Sequence, residues 1–169
     1  MKGEIDKCFP VFCRLFHFLR RSEVMQKSEI AAEIFIKGYN CAQSVFYAFC
    51  DELGFDKDTA LKISCGFGGG MARKEEVCGA VTGGIMVIGL KHGRGENDDT
   101  SSMIKTYEMT RALMERFAKR HGSFICRNLL NGCELGTPGG QKEYKEKELR
   151  KKICKPCVES AVQIIEEIK

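Results

Sequence analysis

The sequence predicts an all-α, single-domain helical bundle, and three observations carry that reading. Apolar residues recur at helical spacing, no segment shows convincing strand alternation, and turn-forming residues separate the periodic stretches with short connections. A chain of 169 residues with 43% hydrophobic and 30% charged residues can bury one sizeable core.

The elements follow in order. Residues 28–38 form a helix with Ser28 as its expected N-cap, apolar Ile30, Ile34 and Phe35, and Gly38 as its stop. Residues 40–54 repeat the layout: Asn40 caps, Ala42, Val45, Phe46 and Phe49 form a stripe, and Gly54 ends it. A shorter helix over 56–66 runs into the Gly-rich stretch "GFGGGMARKE". That turn delivers the chain into a helix over 75–92, apolar on nearly every side from Val77 to Leu90 and therefore expected at the centre of the bundle. A long amphipathic helix spans 100–121 and closes at Gly122, and a short one over 123–132 has Ser123 as its cap. "CELGTPGGQ" reads as loop, the basic run 142–155 follows, and a last helix begins near Pro156. Residues 25–169 thus form one cysteine-rich domain, preceded by an extension over 1–24, helical or frayed. Lys7, Arg14, Arg20 and Arg21 beside four phenylalanines would suit a membrane surface there, but a docking helix or frayed end is the simpler reading.

Charge and composition narrow the function. A net charge of +4 with no RNP, zinc-finger or helix-turn-helix signature gives no case for nucleic acid. No secretory signal is visible, and no run approaches the ~18 apolar residues of a transmembrane segment, so the expected location is cytoplasmic. Ten cysteines in a reducing compartment point to metal, cluster or thiol chemistry. His17, His92 and His121 are too few and scattered for a catalytic set. "GFGGGMARK" lacks the Gly-Lys-Ser/Thr ending and the preceding strand of a phosphate loop. Arg73 and Lys74 within it are expected to be solvated, as is the basic run, although the latter would also suit an acidic electron-transfer partner.

The stretch "CGAVTGG" (78–84) places three glycines in six helical positions after Cys78. Glycine costs a helix about 1 kcal/mol relative to alanine, so Gly79 and Gly83 ask for a close backbone approach, by a neighbouring helix or by a bound group. The helix map also puts Cys41, Cys78, Cys126 and Cys154 at four helix N-termini, where unpaired N–H groups and the helix dipole favour a thiolate. Four such thiolates facing one centre would make a cluster site or a redox-active thiol pocket. Cys50, Cys65 and Cys133 read as core residues.

"GYNCAQSV", "GFGGGMARKEEVCGAVTGGIMVIGL", "ICRNLL" and "CKPCVESAVQII" closely resemble the C_GCAxxG_C_C family of redox-active proteins, over about residues 26–168. Carried over position by position, the four family cysteines fall on Cys41, Cys78, Cys126 and Cys154. The resemblance implies a small helical protein with a redox role; related modules joined to haem domains are associated with an iron–sulfur centre. The chain departs from the pattern at Ala72, where members often have glycine, at Cys157, and in its N-terminal extension.

Three chemistries compete. The leading expectation is an iron–sulfur cluster, [2Fe–2S], held by Cys41, Cys78, Cys126 and Cys154 and passing single electrons. The second is thiol–disulfide exchange at the Cys154/Cys157 pair of "CKPC", although no βαβ pattern surrounds it. The third is a structural zinc site on four cysteines in an interaction module; only residues 154 and 157 have the close spacing usual for zinc. No acid–base constellation accompanies the sulfurs, so the expected role is an electron carrier or accessory module serving a redox partner such as an oxidoreductase, with homo-oligomerisation left open.

Overall fold

Capping residues decide where most of the helices begin. The computed structural model describes residues 25–168, and the extension over 1–24, with Cys8, Cys13 and His17, lies outside that range. Helix α1 (Lys27–Ile36) starts earlier than expected: Gln26, not Ser28, caps it, in a reciprocal box with Glu29. Ser28 instead lies within the helix, buried. In α2 (Cys41–Leu53), Asn40 accepts from the Gln43 N–H while the Gln43 side chain accepts from the Asn40 N–H, and left-handed Gly54 ends the helix. Asp56 caps α3 (Lys57–Ser64), which tightens into a 3₁₀ turn over Cys65–Phe67.

The central helix α4 (Gly79–His92) starts four residues later than expected, with Cys78 at its N-cap. Residues 75–77 are diverted because Val77 forms an antiparallel bridge with Ile125. The Cys78 N–H donates to Phe124 O at 2.9 Å and the Cys126 N–H to Glu76 O at 2.7 Å. The first ten residues of α4 are mostly buried, as expected, but Leu90 is exposed, so the helix leaves the core in its last turn. Asp99 caps α5 (Thr100–His121), and Gly122 closes it. Helix α6 (Cys126–Leu129) is a single turn; Ser123 serves it by accepting from the Ile125 N–H and the Asn128 amide.

The stretch read as loop holds a further helix. Thr137 caps α7 (Pro138–Glu146), with Pro138 in its first turn. A π turn over Arg150–Cys154 then runs without interruption into α8 (Lys155–Glu167). The basic run lies along these elements, its lysines matched by carboxylates one turn away: Lys142–Glu146, Lys147–Glu143, Lys152–Glu148 and Lys155–Glu159.

Helices α1, α2, α4, α5 and α8 enclose the core, with Phe35, Val45, Val81, Ile88, Leu113, Phe117, Val158 and Ile164 all but inaccessible. A smaller cluster of Cys126, Leu130, Cys133 and Leu135 packs beneath Tyr144, Leu149 and Ile153, so the α6–α7 arm has its own apolar support. No helix among the described residues is long and apolar enough to cross a membrane.

The glycines of α4 are used by its neighbours. A Cβ at Gly79 would lie 3.0 Å from Cys41 Cβ, and one at Gly83 2.6 Å from Ala42 O, so α2 packs backbone to backbone on this face. Gly84 makes the same room on the other side for Leu113 and Ile165. Gly89, by contrast, faces nothing within 4 Å. Gly83→Ala is therefore expected to destabilise the protein by about 1–3 kcal/mol through overpacking. Gly89→Ala is expected to stabilise it by up to about 1 kcal/mol, through helix propensity alone. Denaturant unfolding of both variants checks the contrast; equal effects would contradict this packing.

Candidate functional site

The segment between α3 and α4 is an unusual piece of backbone. Gly69, Gly70, Met71, Ala72 and Arg73 are consecutively left-handed, with φ of 62°, 65°, 63°, 50° and 65°, and Glu75 follows at 59°. Each non-glycine residue there costs about 1–2 kcal/mol. Ala72 is one of them. Gly70 cannot be replaced sterically either, since a Cβ would sit 2.7 Å from Cys126 Cβ. Glu75 holds the turn: its buried carboxylate pairs with Arg127 and accepts from the Gly136 N–H at 3.2 Å, while its carbonyl accepts from the Arg127 N–H at 3.0 Å. The turn thereby docks on α6, and the bridge beside it sets Cys78 and Cys126 on adjacent strands of chain.

From the other side, the π turn brings in Cys154. Arg150 donates to Phe35 O and to Tyr39 O and lies over the Phe35 ring at 4.0 Å, tying this arm to the α1–α2 connection. That clamp sets Cys154 against Cys41.

The result is one cavity of about 540 Å³, lined by Cys41, Cys78, Cys126, Cys154 and Cys157, with Cys65 also on its wall. All four expected site cysteines therefore face a single space. Its charged lining residues are Arg73 and Arg150, and no carboxylate is among them. Gly79 borders it too, but a Cβ there would meet Cys41 Cβ and Phe67 O at 3.0 Å and Ala42 N at 3.2 Å, and one at Gly83 the Ala42 backbone, so packing of the chain against itself fills the room at both. Of the cysteines assigned to the core, Cys50 and Cys133 are buried, their thiols donating to Phe46 O and Gly140 O. Cys65 differs: it is exposed.

The strongest mutual influence runs two by two: the acidity of Cys154 is set first by Cys41, and that of Cys78 first by Cys157. Among the described residues, no three His, Cys, Asp or Glu side chains come close enough together to share one metal ion. Cys126 belongs to neither pair, and burial pushes its thiol far up. All eight described cysteines are free thiols.

Within each pair the thiols are driven apart in acidity. The Cys41 thiol, donating to Cys154, is held well above its ordinary value, and burial adds to the effect. Cys154 is drawn down to about 7 by the hydrogen bond from Cys41, against burial, with help from the Tyr144 hydroxyl and the Arg150 charge. Tyr144 Oη donates to Cys154 Sγ at 3.3 Å. Cys78 is likewise lowered by Cys157, with the N–H groups of Ala80 and Val81 contributing, and Cys157 is raised by Cys78 and by burial. His121 Nδ1 lies 3.9 Å from Cys157 Sγ, its ring tilted on Phe117.

This corrects the electrostatic expectation. Cys154 is not at an open helix start: it follows a π turn, and the Lys155 N–H already donates to Arg150 O. The N–H groups of Cys126 and Arg127 are likewise spent on Glu76 and Glu75. Thiol pairing and Tyr144 tune these sulfurs, and among the four helix starts that of α4 contributes, through the Ala80 and Val81 N–H groups at Cys78. Tyr144 and Arg150 were not singled out in the sequence; the "TP" cap of α7, which marks the helix carrying Tyr144, was the available signal.

Alkylation of Cys154, followed by mass spectrometry across pH, is expected to rise through a midpoint of about 7. Tyr144→Phe should move that midpoint up by about one pH unit, since a hydrogen bond to a charged group is worth ~1.5–3 kcal/mol. Cys41→Ala should move it further, because it removes the larger contribution. A midpoint near 8.5 in the unaltered protein would contradict the pairing.

No curated protein and no solved structure matches the chain. A family model described as "Putative redox-active protein (C_GCAxxG_C_C)" matches residues 39–168, a span containing every cysteine of the cavity. The chain is thus a redox-active, cysteine-rich helical protein, and it belongs to the C_GCAxxG_C_C family.

Proposed function

We propose that the protein is a dithiol redox carrier in which Cys154 is the nucleophile and Cys41 its resolving thiol. What supports this reading is the placement of Cys154, partly buried and acidified with the Tyr144 hydroxyl 3.3 Å from its sulfur, on the same cavity as buried Cys41, whose thiol is held in its protonated form more firmly than usual. The thiolate is the attacking species, and a thiol with a pKa near ambient pH is close to the optimum for exchange. The Cys154 thiolate attacks one sulfur of a partner's disulfide, and the other partner sulfur leaves as a thiolate and takes up a proton. Cys41 then gives up its proton and attacks Cys154 Sγ, forming the Cys41–Cys154 disulfide and releasing the second partner sulfur as a thiol. Two electrons pass to the partner, an oxidoreductase or other disulfide protein. The reverse sequence returns them. On this reading the resolving thiol is the distant Cys41 and not Cys157, three residues away in sequence.

A second reading has its own observation. A [2Fe–2S] cluster takes two thiolates on each iron, and the cavity offers thiols two by two beside Arg73 and Arg150, with no carboxylate in its lining. The donor set therefore fits such a group better than a single zinc ion, which needs four donors around one point. Cys41 and Cys154 would hold one side, and Cys78 with Cys126 or Cys157 the other. When bound, the cluster would supply one-electron transfer, with Tyr144 donating to the Cys154 sulfur.

Equilibration of anaerobically purified protein with glutathione buffers, followed by disulfide mapping and by iron and sulfide analysis, tests both. The dithiol reading expects a Cys41–Cys154 disulfide in iron-free protein, abolished by Cys41→Ser. Stoichiometric iron and sulfide with a visible charge-transfer spectrum would replace it with the cluster reading. Neither disulfide nor iron would end both.

A further inference from the structure

Cys78 and Cys157 are two buried thiols on the cavity that no partner protein can touch. They are 5% and 1% exposed, whereas Cys154, at the end of the π turn three residues before Cys157, is partly exposed. All four sulfur-bearing side chains open on the same cavity. We infer that Cys78 and Cys157 are a second, interior dithiol that exchanges electrons with Cys41 and Cys154 across the single turn of α8 between residues 154 and 157. This rests on the reading of Cys41 and Cys154 as a working dithiol.

The placement of the four sulfurs supports this route. Cys154 ends the π turn and Cys157 lies in the first turn of α8, which follows without a break, so the two are three residues apart on one continuous helix and line the same cavity. On the other side of the cavity, Cys41 and Cys78 begin α2 and α4 where these helices touch: a Cβ on Gly79 would be 3.0 Å from Cys41 Cβ. The route therefore has two ends and one crossing point.

The exchange closes without an outside reagent. It starts from the Cys41–Cys154 disulfide and two interior thiols. Cys157 attacks Cys154 Sγ as its proton passes to Cys41; the 154–157 bond forms as the 41–154 bond breaks, and Cys41 leaves as a thiol. Cys78 then attacks Cys157 Sγ as its proton passes to Cys154; the 78–157 bond forms as the 154–157 bond breaks, and Cys154 leaves as a thiol. The interior pair is oxidised by two electrons and gives up two protons. The outer pair takes up both and is reduced to the dithiol, ready for a second partner. The protein would store four electrons in all, two of them shielded from direct contact.

Acid-quenched time courses with glutathione disulfide, mapped by mass spectrometry, test this. In the unaltered protein the Cys41–Cys154 disulfide should appear first and the Cys78–Cys157 disulfide later. Cys78→Ser should accumulate a Cys154–Cys157 disulfide. Cys154→Ser should slow oxidation of the interior pair at least 100-fold, while Cys41→Ser, which leaves Cys154 to be attacked by Cys157, should still pass oxidation inward. Interior thiols that stay reduced after the outer disulfide forms would overturn the exchange, as would Cys78–Cys157 oxidation at an unchanged rate in Cys154→Ser. Failure of the Cys41–Cys154 disulfide to form in the unaltered protein would instead remove the reading on which the exchange rests.

Discussion

Everything at the cysteine cavity depends on how closely α4 lies against α2. A side chain at Gly83 would put its first carbon 2.6 Å from the Ala42 carbonyl, so the two helices can meet backbone to backbone only because none is there. Helices usually pack with axes 8–10 Å apart, and small residues bring them to the low end. The contact is made at the leading ends of both helices. Cys41 and Cys78, 37 positions apart in sequence, therefore become walls of the same space. The helical cost of the glycines is offset by the packing they permit, and the same packing builds the site.

The remaining sulfurs are brought in by two restraints of different kinds. Cys126 arrives through the backbone, by the short bridge between Val77 and Ile125 and the left-handed turn that Glu75 secures. Cys154 arrives through a side chain, because Arg150 reaches two carbonyls of the α1–α2 connection and stacks on Phe35. The π turn is the sort of local departure from α geometry that recurs at functional sites. The more accessible, acidified cysteine thus sits at the end of that turn, and the buried Cys78 and Cys157 at the start of α4 and in the first turn of α8.

How much of this was legible follows from which interactions are local. Asn40, Asp56, Gly54 and Gly122 act on residues within one turn of themselves, and the helix limits they imply agree with the structure to within about two residues. The start of α4 was misplaced because the rival to the helix, pairing of residue 77 with residue 125, is a long-range contact that periodicity cannot register. Helix α7 was missed because two glycines and a proline outweighed the Thr137 cap. At the site, helix placement and family resemblance named four cysteines that share one cavity, but not their partners. Which sulfur influences which is a tertiary fact: Cys157 has the spacing of a partner for Cys154, yet its acidity is set first by Cys78. The source of thiol acidity was misjudged for the same reason, since the N–H groups assumed free at Cys126 and Cys154 are taken by distant or preceding carbonyls.

The central claim is therefore about pairing in the reduced state, before any electron moves. A bivalent arsenical bridges two thiols only if both sulfurs can bond one arsenic atom. Reaction of the reduced, folded protein with one equivalent of phenylarsine oxide, followed by mapping of the bridged peptides, reads the pairing directly. The expected product joins Cys41 to Cys154. A product joining Cys154 to Cys157, or no rapid bridge at all, would contradict the account.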